Sequence, residues 1–323
     1  MDNITLLVLA DPTDPRLAML EELPPETGIA VGESAEAFVR AAPDATVIFN
    51  WSLAADLQRE VFRMCPNLEW VHSRSAGLDG LLFPELVESP VLLTNGSGIY
   101  SESLGEFVVG AILYFAKDLR RMIRNQAAGA WEQFDIVEAS GQTVGIVGYG
   151  DIGRAVATRV HALGMRVLGM KRHRPPAHEA DPLAERIYGP EERIEMISRS
   201  DYVVVAAPLT PETLGLIGEP ELAAMKPDAV LINVGRGPVI QEAALIGALS
   251  EQRIKGAALD VFDTEPLPQG HPFYKLENLL LSPHCADHTP DWLDQAMRFF
   301  LAQFERFRKG EPLRNVVDKK MGY

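Results

Sequence analysis

Short apolar runs alternate along this chain with longer stretches whose apolar residues recur every three or four positions. In the first third the runs fall at residues 5–10, 46–50, 70–73 and 91–94. Later ones, at 143–148, 166–170, 202–206, 230–234, 256–260 and 279–282, are almost wholly apolar. That is the pattern of strands covered on both faces of a parallel sheet. Between them, 53–65, 154–163 and about 292–309 predict helices. Leu104, Val108, Ile112, Phe115 and Leu119 share one face of residues 103–126, which predicts a single amphipathic helix long enough to join two domains. Strands alternating with helices predict an α/β fold.

Composition narrows the picture. With 323 residues there is room for two domains, and 47% hydrophobic with 23% charged residues is the balance of a folded globular chain. A net charge of −15 excludes a general polyanion binder, so no nucleic-acid partner is expected. Two cysteines, Cys65 and Cys285, form no disulfide framework and point to a reducing compartment. Met1-Asp2-Asn3 lacks a basic leader, and the run at 4–10 is too short for a span of about 20 residues. A cytoplasmic protein without a membrane partner is the expectation.

The run at 143–148 leads into Gly148-Tyr149-Gly150-Asp151-Ile152-Gly153 and then a helical stretch. In that context the glycines read as a phosphate loop. The first allows a tight turn, the second a close approach to pyrophosphate, the third close helix–strand packing. At the end of the next strand, where NAD-binding sites carry a carboxylate, stand Lys171, Arg172, His173 and Arg174. Cations there suit a 2′-phosphate, so NADP(H) is expected over NAD(H), which stays possible; a solvated basic loop is the plainer alternative.

Three more segments follow predicted strands: Asn233-Val234-Gly235-Arg236-Gly237, 259–266 with Asp260 and Glu265, and Ser282-Pro283-His284. Ligands of open α/β sheets bind outside the carboxyl ends of strands, so an Arg, a Glu and a His converge on one rim. Taken singly, each is as readily a surface or turn residue. His288 follows His284 by four positions, without the carboxylate–His spacing of a metal site, and reads as structural; no metal is expected.

With these segments the chain resembles the D-isomer-specific 2-hydroxyacid dehydrogenase family, which includes glyoxylate and hydroxypyruvate reductases and phosphoglycerate dehydrogenases. Further matches are Ser75-Ala76-Gly77-Leu78-Asp79, Leu104-Gly105-Glu106, Trp131, Gly141-Gln142-Thr143-Val144 and 312–318. The resemblance implies two Rossmann-like doubly wound domains. A flavodoxin-like substrate domain (1–99 plus 288–323) would hold an inserted nucleotide-binding domain (100–287). It implies reduction of a small 2-keto acid to the D-2-hydroxy acid. Arg236 would bind the substrate, and His284 with Glu265 would be the acid–base pair. The amides of Ala76 and Gly77 would complete carboxylate binding, and Tyr100 and Trp51 would narrow the pocket. Ala207, Pro208, Thr213, Val234 and Asp260 would line the cofactor, although Asp260 is equally a turn residue. A homodimer built around the long helix is also implied.

One departure bears on this reading: Gly105 stands where the family often has Ala. A rival of the same architecture, formate dehydrogenase, would need a Gln where Glu265 stands and a longer chain. A nucleotide-sensing scaffold resembling the C-terminal-binding corepressors is the alternative from another class, and turnover separates it from an enzyme.

Overall fold

The early apolar runs form β1 (Thr5–Leu9), β3 (Val47–Asn50), β4 (Trp70–Ser73) and β5 (Leu92–Thr94), joined by β2 (Gly28–Gly32) and the helices α1 (Ala55–Met64) and α2 (Pro84–Glu88). All pairings are parallel, in the order β2-β1-β3-β4-β5, the flavodoxin-like winding. The computed structural model describes residues 4–173 and 181–323. Two compact units emerge, Met1–Tyr100 with Thr289–Tyr323, and Ser101–His288.

The second unit begins with α3 (Ser101–Ala116) and α4 (Leu119–Ala127). It continues through β6 (Thr143–Val147), α5 (Asp151–Ala162), β7 (Arg166–Met170), β8 (Arg186–Tyr188), α6 (Arg193–Arg199), β9 (Tyr202–Val205) and α7 (Glu219–Ala224). β10 (Val230–Asn233), α8 (Glu242–Ser250), β11 (Gly256–Leu259) and β12 (Leu279–Leu281) complete it. Its seven strands run in the order β12-β11-β10-β9-β6-β7-β8, all parallel. Winding therefore reverses between β6 and β9, which makes their carboxyl ends the switch point where such sheets bind ligands. The chain then returns to the first unit as α9 (Trp292–Arg308).

Side chains alternate across the first sheet. Leu6 and Val8 pack with Phe49, Trp70 and the α9 residues Met297, Phe300 and Phe304; Leu7 and Leu9 join Val61 of α1 and Leu86 of α2 on the other face. Phe300 stacks on Phe49 at 3.9 Å between ring centroids. Each such burial is worth roughly 1.5–3 kcal/mol, so α9 is held by its apolar face.

The long helix expected at 103–126 is two helices. Asp118 has φ 48°, a left-handed conformation that an α-helix cannot continue through, and its side chain accepts from the amide of Arg121 at 3.4 Å to start α4. Among the described residues no helix is long and apolar enough to cross a membrane.

Candidate active site

Every loop singled out in the second unit leaves the carboxyl end of a strand. After β6, Gly148 turns the chain with φ +93°; a Cβ there would lie 2.5 Å from the backbone nitrogen of Ala207. One on Gly153 would lie 2.5 Å from the carbonyl oxygen of Gly148, whereas one on Gly150 would meet nothing within 4 Å. The first glycine thus lets the loop lie against the chain leaving β9, the third brings α5 against the end of β6, and the second leaves the loop's outer side open, a cradle that fits a dinucleotide pyrophosphate. The α5 N-terminus at Asp151 and Ile152 adds the favourable end of the helix dipole.

Beyond β7, the ammonium of Lys171 lies 5.8 Å from the ring centroid of buried Tyr149, and Arg172 pairs with Glu212 at 2.8 Å. Arg174 lies outside the described residues. Past β9, Ala207 packs beneath Gly148. The Thr213 hydroxyl donates to the carbonyl of Pro208 at 2.6 Å and accepts from the amide of Thr210 at 2.8 Å. Thr213 therefore holds its own turn together.

Arg236 follows β10. Asn233 brackets it, accepting from the amide of Gly235 at 3.0 Å and donating to the carbonyl of Arg236 at 3.0 Å. Val234 between them is buried. The guanidinium donates to the carbonyl of Gly235 at 2.8 Å. Gly237 lies directly on the next loop: a Cβ on it would be 2.0 Å from the carbonyl carbon of Phe262.

That next loop carries Glu265, whose Oε1 accepts from the amide of Phe262 at 2.8 Å. Its Oε2 lies 2.6 Å from Nδ1 of His284, beyond β12. A carboxylate only accepts, so Nδ1 carries the hydrogen and Nε2 is left for proton exchange. His284 sits at φ 51°, uncommon for a residue with a Cβ. Asp260 sustains this conformation: one of its oxygens accepts from Ser282 Oγ at 2.5 Å and from the amides of Cys285 and Ala286 at 3.0 and 3.1 Å. The turn role for Asp260 is the one visible here.

Residue-by-residue reading missed Asn233, Ser282 and Asp260's hold on the His284 turn. The only sequence signal was a small polar residue at each strand end. It also passed over Asp287, whose carboxyl burial pushes up in pKa, with His288 and His284 pulling it back. His288 lies 3.7 Å from Asp287.

The remaining expected substrate residues lie in the first unit. The Gly77 amide donates to Ser75 Oγ at 3.2 Å, and the carbonyl of Ala76 accepts from Asn95 at 2.7 Å. Trp51 and Tyr100 are buried. Trp51 donates its indole hydrogen to Asp14 at 2.8 Å, and the Tyr100 hydroxyl donates to the carbonyl of Arg74 at 2.8 Å. The Arg74 guanidinium lies 5.0 Å from the Trp51 ring centroid and 5.2 Å from that of Trp292. Packing is what these aromatics visibly do in this unit.

Residues 109–286 match the family described as D-isomer specific 2-hydroxyacid dehydrogenase, NAD binding domain. The chain is 34% identical over 278 residues to a glyoxylate reductase of Thermococcus gammatolerans, covering 83% of this chain and 82% of that one. Among solved structures, a D-isomer specific 2-hydroxyacid dehydrogenase from Xanthobacter autotrophicus Py2, in complex with NADPH and MES, superposes with a TM-score of 0.86 at 30% identity over 100% of both chains. An NADPH-dependent glyoxylate/hydroxypyruvate reductase from Sinorhizobium meliloti, in complex with NADP and sulfate, gives 0.86 at 27% identity over 99% of this chain and 100% of that one.

Proposed function

Because the chain belongs to the D-isomer specific 2-hydroxyacid dehydrogenase family, we propose that it reduces a small 2-keto acid, glyoxylate and hydroxypyruvate foremost, to the D-2-hydroxy acid. NADPH is the preferred reductant and NADH the second. The observation that carries this reading is the 2.6 Å bond between His284 and Glu265, in the same row of strand-end loops as the glycine cradle.

When bound, the reduced nicotinamide supplies a hydride to the keto carbon. Gly148, Gly150, Asp151, Ile152 and Gly153 hold its pyrophosphate, with Ala207, Pro208, Thr213 and Val234 on neighbouring loops. Lys171 and Arg172 take the 2′-phosphate. Arg236 offers a planar fork to the substrate carboxylate and keto oxygen. His284 donates a proton from Nε2 to the oxygen as negative charge develops there, and Glu265 stabilises the imidazolium beforehand. Reductase names among the relatives favour this over the scaffold reading. Two copies pairing through the segment after α3 belong to the same proposal.

The test is oxidation of NADPH, and of NADH in parallel, against glyoxylate, hydroxypyruvate, pyruvate, phenylpyruvate and 2-ketoisocaproate. His284→Ala should lower kcat by about 10²- to 10⁴-fold, the usual share of a general acid, with NADPH binding retained. Silence of the native enzyme across the panel, or undiminished turnover in the variant, would overturn the reading.

A further inference from the structure

The ion pair at the end of β7 has a consequence for cofactor choice. Arg172 and Glu212 meet at 2.8 Å, although they come from the loops after β7 and β9, on either side of the phosphate loop. Glu212 is 61% exposed at the side chain, Arg172 28%. A backbone hydrogen bond and the Thr210 hydroxyl hold the Glu212 carboxyl below the usual carboxylate range, so it is charged at neutral pH. The turn bearing it is braced by Thr213 through Pro208 and Thr210.

We propose that Glu212 is a specificity-setting residue, a built-in anion that occupies Arg172 in place of a cofactor 2′-phosphate and competes with it. The inference rests on the reading that Arg172 receives that phosphate. A guanidinium in contact with a carboxylate has part of its charge neutralised and its donors directed away. A dinucleotide with a 2′-phosphate must displace Glu212 or bind beside a like charge. One with a bare 2′-hydroxyl leaves the pair intact. Glu212 thereby narrows the gap between NADPH and NADH, because its negative charge offsets part of the positive charge that favours a 2′-phosphate.

Titration of the whole enzyme with NADPH, NADH, adenosine 2′,5′-bisphosphate and 5′-AMP tests this without turnover. Exposed ion pairs are weak, so Glu212→Gln should tighten NADPH and the bisphosphate only about two- to fivefold. NADH and 5′-AMP should stay unchanged, and the gain should vanish in about 1 M salt, where charges are screened beyond roughly 3 Å. Glu212→Lys should enlarge the gain. Unchanged NADPH affinity in both variants, equal tightening of NADH, or weaker NADPH binding would each overturn the proposal. Arg172→Ala separates the underlying reading: it should remove most discrimination between the bisphosphate and 5′-AMP. If that ratio is untouched, Arg172 is not the phosphate's partner, whatever Glu212 does.

Discussion

His72 is fully buried on β4, among Phe49, Trp70, Phe299 and Phe300. The Trp70 indole donates to the Thr94 hydroxyl at 2.8 Å, so the hydroxyl has its own hydrogen to give to His72 Nδ1 at 2.7 Å. Only a neutral imidazole accepts there, and burial pushes its pKa from 6.5 down to about 3. In the unfolded chain His72 takes up a proton near 6.5, while the folded one refuses it until about 3. Its contribution is therefore whole above pH 6.5 and declines as pH falls towards 3, at up to about 1.4 kcal/mol per unit. Urea unfolding at pH 5 should give roughly 2 kcal/mol less stability than at pH 7.5, and His72→Gln should flatten that slope. An equal slope in the variant would assign the acid sensitivity elsewhere. The strand-end loops that carry Arg236, Glu265 and His284 were legible in the sequence because each follows an apolar run. The left-handed backbone of His284 was not, since nothing in Ser282-Pro283-His284 announces that Asp260, more than twenty positions earlier, shapes its turn.

Elements with strong periodicity were legible for the same physical reason: a strand covered on both faces must be continuously apolar. Among the described residues, the two strands that escaped, β2 and β8, are edge strands whose burial is partial, and β8 has only three residues; the helices α2, α6, α7 and α8, each of nine residues or fewer, escaped as well. The break between α3 and α4 escaped because apolar spacing runs through it, and one Asp in a left-handed turn interrupts the hydrogen bonds without disturbing the pattern. Between elements, Gly237 matters most. Its bare Cα lets the Arg236 loop rest on the peptide after Phe262, three residues before Glu265. Gly237→Ala should separate Arg236 from the His284–Glu265 pair and reduce kcat by about 10²-fold, the scale of ångström misplacements. NADPH binding, which rests mainly on the loops after β6, β7 and β9 with only Val234 from this one, should weaken far less, by about two- to threefold. Near-native kcat in a variant with intact cofactor binding would show that the contact does not set catalytic spacing.

At the scale of the whole molecule, exposed apolar side chains gather in one stretch of the second unit: Leu119, Met122, Ile123, Trp131, Ile136 and Val137, with Trp131 at 96% exposure. Under the proposed pairing, this is the surface that a second copy would cover. Light scattering on the eluted peak should give the mass of two 35.5 kDa chains, and Trp131→Glu with Ile123→Glu should shift it to one. A native monomer would refute the pairing. The first unit, assembled from both ends of the chain, also has a history in time. On the ribosome, α9 is made only after all of residues 101–288, so the sheet face formed by Leu6, Val8, Phe49 and Trp70 waits, without its covering helix, through the synthesis of an entire second sheet. The chain thus spends much of its birth with a greasy surface exposed, when aggregation and chaperone capture compete with folding.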